Sequence, residues 1–98
     1  MQKNNLININ MMCETLFPAI LRTGHPGIHA IGDAGDFWVV VMAPEKAGET
    51  EYGTMPYIVS KNDLSIKVFS VSSDDDWDLL EHATEVEVPE KYRAKYVE

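Results

Sequence analysis

Apolar residues at Leu6, Ile9, Cys13, Leu16, Phe17, Ile20 and Leu21 recur at spacings of three and four, which marks one face of an amphipathic helix. Pro18 falls inside that run. Proline lacks a backbone N–H and crowds the preceding turn, so either the helix kinks there or it ends near Leu16 and a short turn restarts with Pro18 in its first turn. Thr23-Gly24-His25-Pro26-Gly27 stops the helical pattern. Ile28-His29-Ala30-Ile31 alternates weakly between Gly27 and Gly32 and predicts a short strand, followed by a turn over Gly32-Asp33-Ala34-Gly35-Asp36. Residues 37–43 are then apolar at nearly every position, with three consecutive valines. That length favours a strand, and its unbroken apolarity predicts a central strand covered on both faces.

Pro44–Thr54 reads as a loop longer than a hairpin needs, so it is expected to project or to carry contacts. Pro56 opens the next strand, where a missing N–H costs least, and Lys61-Asn62-Asp63 supplies a tight connection. In the strand that follows, Ile66, Val68 and Ser70 face one side while Lys67, Phe69 and Val71 face the other. Ser72-Ser73 before Asp74-Asp75-Asp76 is a helix start, a serine cap with acids beside the positive end of the dipole. Trp77, Leu79 and Leu80 give that helix an apolar face over roughly ten residues, ending near Ala83. Val86 and Val88 alternate with Glu85 and Glu87 as a half-exposed edge strand, Pro89 ends it, and Glu90–Val97 predicts a last short helix with Tyr92 and Tyr96 one turn apart. The pattern as a whole predicts an α+β domain over residues 1–98. It is an antiparallel meander of three to four strands packed against an N-terminal helix, with a second short acidic helix after the meander. Residues 1–5 and 90–98 are expected to be loose. Trp38, Val40, Ile58 and Phe69 are expected between the sheet and the first helix.

Ninety-eight residues with an apolar fraction of 45% suffice for one small core and not for two. Little stability is to spare at this size, which makes a homodimer a natural expectation. The single cysteine, Cys13, excludes an internal disulfide and any cysteine-pair zinc site, and its apolar surroundings predict a buried, inert thiol. Lys3 alone is too thin a basic region for an export signal, and asparagines interrupt Leu6-Ile7-Asn8-Ile9-Asn10, so the cytosol is the expected compartment. No run approaches a membrane span in length.

The net charge of −8 is unevenly placed. Residues 1–30 carry Lys3, Glu14 and Arg22, a net of +1, which leaves −9 for residues 31–98. From Asp74 to Glu90 stand eight acids (Asp74, Asp75, Asp76, Asp78, Glu81, Glu85, Glu87 and Glu90) and neither Lys nor Arg. Direct nucleic-acid binding is disfavoured without a basic footprint, whereas a basic protein partner is permitted.

Candidate chemistry is sparse. His25 and His29 stand four apart but are broken by Gly24, Pro26 and Gly27, so helical metal spacing fails, although Asp33 and Asp36 could approach them across a turn. His82 reads as a solvated helix-face histidine. Asp74-Asp75-Asp76-Trp77-Asp78 lacks the alternation, central glycine and closing glutamate of a calcium loop. Gly32 and Gly35 are too few, and too close to aspartates, to cradle phosphate. No nucleophile–base pair is visible, so no catalytic residue, metal or cofactor is assigned. Trp38 reads as core, while Trp77 could pack on the sheet or anchor a partner.

The order of a helix, Gly-Asp-Phe-Trp-Val-Val-Val (35–41), a loop, Met-Pro-Tyr-Ile-Val-Ser-Lys (55–61), Ser-Ile-Lys-Val-Phe (65–69) and a second helix resembles the YrhB-like immunity proteins of bacterial polymorphic toxin systems. The likeness covers about residues 28–82. The chain departs from the pattern at Asn62-Asp63-Leu64, where the family's hairpin usually carries glycine, and at Pro18. The resemblance implies a protein that performs no chemistry and neutralises a toxin by covering its active surface. A basic toxin domain is the partner that suits the charge. The alternatives are an acidic nucleic-acid mimic and a small regulatory or assembly subunit. On any of these readings Asp74, Asp75, Asp76, Trp77, Asp78 and Glu81 are the expected partner-binding residues, with Glu49 and Glu51 of the Pro44–Thr54 loop beside them.

Overall fold

A computed structural model describes residues 8–44 and 56–94 of the chain. Helix α1 (Ile9–Arg22) is one continuous helix. Asn8 caps it, its side-chain oxygen accepting the Met11 N–H at 2.9 Å. Met12, Cys13, Leu16 and Ile20 form its buried face. Pro18 lies inside the helix on an exposed position, so neither a break nor a restart occurs there. The bond it forgoes would have run to the carbonyl of Glu14, an exposed residue one turn earlier. At the other end Gly24 takes φ 92°, His25 N–H reaches Ile20 O and Gly24 N–H reaches Leu21 O. This is the paired bonding of a helix closed by a left-handed glycine.

Five strands follow in an antiparallel sheet: β1 (Ile28–Ala34), β2 (Phe37–Met42), β3 (Tyr57–Ser60), β4 (Ile66–Val68) and β5 (Thr84–Val86). Their spatial order is β4-β3-β2-β1-β5, so the apolar strand β2 is central, as its sequence predicts. Gly35, at φ 79°, turns β1 into β2 through a two-residue hairpin connection. The segment Gly32-Asp33-Ala34, expected as a turn, belongs instead to β1, which pairs out to Ala34 with Phe37. Gly32 is there for closeness of approach. A Cβ at this position would lie 2.7 Å from the Ala83 methyl group.

Helix α2 (Asp74–His82) carries the chain from one edge of the sheet to the other. A helix of nine residues extends about 13 Å, close to the ~14 Å that three inter-strand steps require from β4 to β1. It starts beside β4, where Asp76 meets Lys67, and ends with Ala83 over Gly32 of β1. β5 then joins the sheet beside β1, which makes five strands rather than the three or four expected from the meander alone.

The sheet is therefore covered on both faces. On one face the buried side of α1 packs against Ile28, Ile31, Trp38, Val40, Met42 and Val59, with Val88 and Tyr92 closing the rim. Val39 and Ile58 point to the opposite face by strand alternation, and Phe69 joins them through its ring contact with Trp77 of α2. All three are buried. Trp38 and Val40 thus lie under α1 as expected, whereas Ile58 and Phe69 are buried under α2.

Beyond β5 the chain returns to α1. Glu90–Tyr92 is a single 3₁₀ turn in place of the predicted helix, and Tyr96 lies outside the described residues. Tyr92 meets Phe17 edge to face at 5.3 Å, Arg93 bridges to Ile28, and Gly27 has no room for a Cβ beside Ala94. Residues 90–94 are tied to the core rather than loose.

Candidate functional site

The expected partner-binding residues sort into two groups once α2 is seated. Ser73 caps the helix, accepting the Asp76 N–H at 3.2 Å, and Asp74, Asp75 and Asp76 occupy the first turn. Asp76 is directed inward and is 1% exposed. Its carboxylate accepts from Lys67 Nζ at 2.8 Å and from the Ser70 N–H at 2.9 Å. These partners hold its pKa below the usual 3.8, the Lys67 ammonium foremost and the Ser70 amide next, against the opposing effect of burial. Asp76 therefore ties α2 to β4 and, unlike the partner contact expected of it, offers almost no surface to a partner.

Asp74, Asp75, Asp78 and Glu81 remain exposed. Asp74, Asp78 and Glu81 follow helical spacing of four and three, so they form one stripe along the outer side of α2. Trp77 flanks that stripe and is 48% exposed. Its ring stands edge-on to Phe69 at 5.0 Å, and its indole N–H donates to Val71 O at 2.8 Å. The tryptophan is both packed and presented: one side is fixed by the sheet, the other faces solvent. Val71 and Leu80, also exposed, extend the apolar surface on the same flank. Glu49 and Glu51 lie outside the described residues, as does most of the Pro44–Thr54 loop.

At the far end of α2, Asp78, Glu81 and His82 bring ligand atoms within 4.8 Å of one another. They are the only group of three or more such side chains gathered this closely among the described residues. The spacing of three and four on a helix would have suggested this trio from sequence. Its electrostatic role is already clear. His82 Nδ1 lies 2.9 Å from Asp78 O and 3.2 Å from its carboxylate. The Asp78 carbonyl and carboxylate raise its pKa and favour an imidazolium in the helix's last turn.

The other candidate groups are placed apart from one another. His25 is buried, with Nδ1 3.0 Å from Ala43 O, and His29 is exposed on β1. Asp33 accepts from Lys61 Nζ at 2.6 Å and from the Gly35 N–H at 3.2 Å, so it faces the β2–β3 side rather than the histidines. Burial pushes the Cys13 thiol up to about 11, which leaves it without a nucleophilic thiolate at neutral pH. Two shallow grooves of about 360 and 300 Å³ flank Arg93 at the open end of β5. Arg93 itself is engaged, donating to Glu87 and to Val88 O, both at 2.9 Å.

No helix among the described residues is long and apolar enough to cross a membrane. In comparisons with known proteins, the chain matches no protein-family model, no curated protein and no solved structure.

Proposed function

We propose that this chain is a non-enzymatic binding protein that uses the outer side of α2 to hold a basic protein surface, in the manner of an immunity protein occluding a toxin. One observation carries the reading. Trp77 is half-exposed yet held rigid by Phe69 and Val71, directly beside the acidic stripe of Asp74, Asp78 and Glu81. A pre-fixed aromatic loses little freedom on binding and gives a large anchoring surface. The acids around it repel one another, and a cationic partner offsets that repulsion while gaining association rate and orientation. Only the first turn of a helix benefits from acids at its positive end, so Asp78 and Glu81 are not explained by capping. The cytoplasm, where a toxin would be met before release, is the compartment that fits this role.

The test is a quantitative capture from the native host with the full chain and with the triple variant Asp74→Asn/Asp75→Asn/Asp78→Asn, read by mass spectrometry. A basic protein should be recovered by the parent, lost progressively as salt rises, and strongly depleted in the triple variant. Recovery unchanged in a correctly folded triple variant would show that these acids serve solubility alone.

A further inference from the structure

The hydrogen-bond donor that an exposed tryptophan ordinarily offers a partner is already used in Trp77. Its indole N–H donates to Val71 O at 2.8 Å, and the edge-on contact with Phe69 at 5.0 Å fixes the plane of the ring. The residue is nonetheless 48% exposed, so what it presents to solvent is π surface without a free N–H. Such a surface is electron-rich and attracts cations.

Two carboxylates bracket that ring. Asp74 stands three residues before Trp77 on α2 and Glu81 four residues after it, spacings that put the three side chains on one face. Both acids are exposed. Among the described residues neither enters an ion pair, whereas Asp78 is paired with His82 at 3.2 Å. Leu80, three residues after Trp77 and also exposed, extends the apolar surface beside the ring.

Given the binding role proposed for α2, on which this assignment rests, we infer that Trp77, Asp74 and Glu81 receive an arginine side chain of the basic partner. Its guanidinium lies on the indole and its N–H groups donate to the carboxylates. Charge selects a cation, and geometry selects arginine among cations. A guanidinium is planar, weakly hydrated and carries a fixed fork of N–H donors, so it engages the ring and a carboxylate at once. The apolar surface of Leu80 suits the arginine's methylene stem. A lysine ammonium is a compact, strongly hydrated point charge. It feels the same attraction to the acids and gains less from the ring. Quaternary ammonium ligands are held in cages of several aromatic rings. Phe69, the ring that touches Trp77 among the described residues, is 4% exposed and so cannot form a second wall.

Isothermal titration calorimetry of the full chain with a short oligoarginine peptide, and with the oligolysine of equal length at the same ionic strength, tests the inference. Equal charge makes steering and screening common to both peptides, so the ratio of affinities reads the ring. The parent should bind oligoarginine roughly two- to fivefold tighter, the worth of one exposed cation–π contact. Asp74→Asn/Glu81→Gln should weaken the binding of both peptides. Trp77→Leu should keep the parent's circular dichroism and bind the two peptides equally. If Trp77→Leu fails to fold, the indole resonances of the parent decide alone: the exposed indole should shift with oligoarginine and much less with oligolysine. Equal affinities in the parent, equal indole shifts, a preference that survives in Trp77→Leu, or no binding of either peptide overturns the inference. A parent that captures a basic protein through its acids yet lacks the arginine preference overturns this inference alone and leaves the binding role of α2 standing.

Discussion

Asp76 illustrates how the identity of a residue understates its role until its surroundings are known. Its neighbours Asp74, Asp75 and Asp78 are exposed, yet Asp76 is buried against Lys67 and the Ser70 amide. Replacing it with alanine leaves that amide without its acceptor and should cost on the order of 2 kcal/mol. Asp76→Asn retains an acceptor for Ser70 but loses the charge facing Lys67, and should cost less; chemical denaturation of both variants orders the two effects. The pH dependence has a definite sign. Because the folded state lowers this pKa, the stabilisation is complete above the ordinary carboxylate value of 3.8 and is lost as pH falls through the lower folded value. The parent should therefore lose its advantage over Asp76→Asn below about pH 4. An advantage that persists undiminished at pH 2 would place the stabilisation outside the ionised carboxylate.

At the scale of elements, the decisive contact is where α2 passes over β1. Gly32 and Ala83 approach so closely that an added methyl group would stand 2.7 Å from the Ala83 Cβ. Gly32→Ala should accordingly destabilise the domain by about 1–3 kcal/mol through overpacking. Ala83→Gly removes the opposing methyl group, so the double variant Gly32→Ala/Ala83→Gly should recover part of that loss. A double-mutant cycle with no coupling would show that the helix does not rest on this glycine. The β3–β4 connection adds a second local feature. Leu64 takes φ 60°, a left-handed conformation that costs a branched residue about 1–2 kcal/mol. Its side chain packs against the core cluster, which offsets that cost and accounts for leucine at a position better suited to glycine.

For the whole molecule, charge is the feature that outlasts the fold description. Net charge is −8, and the described acids are concentrated from Asp74 to Glu90 along α2, β5 and the 3₁₀ turn. The ion pairs among described residues are few: Lys61 with Asp33, Lys67 with Asp76, Arg93 with Glu87, and His82 with Asp78. Self-repulsion among exposed acids should therefore exceed the attraction of surface pairs, which contribute little. Raising the concentration of a non-binding monovalent salt should raise Tm, because the Debye length falls from about 10 Å at 0.1 M to about 3 Å at 1 M. A Tm that falls steadily with salt would mean that the attractive pairs dominate.

The sequence by itself determined the α+β class, the span of α2, the central position of β2 and the inert surroundings of Cys13. Each of these is a local signal, carried by periodicity, by a cap such as Ser73 or by unbroken apolarity over residues 37–43. Gly32 was open to misreading because a glycine inside a strand looks like a turn until the methyl group opposite it is seen. The continuity of α1 through Pro18 likewise depended on which way the unbonded carbonyl faces. Only the tertiary structure decided which face covers Ile58 and Phe69, that β5 joins β1 on the far side of the sheet, and that Asp76 turns inward while its neighbours remain outside. Those outcomes arise from pairings between residues distant in the chain. A pattern of apolar and polar positions gives each strand its two faces, but the covering of either face depends on where the next element can reach.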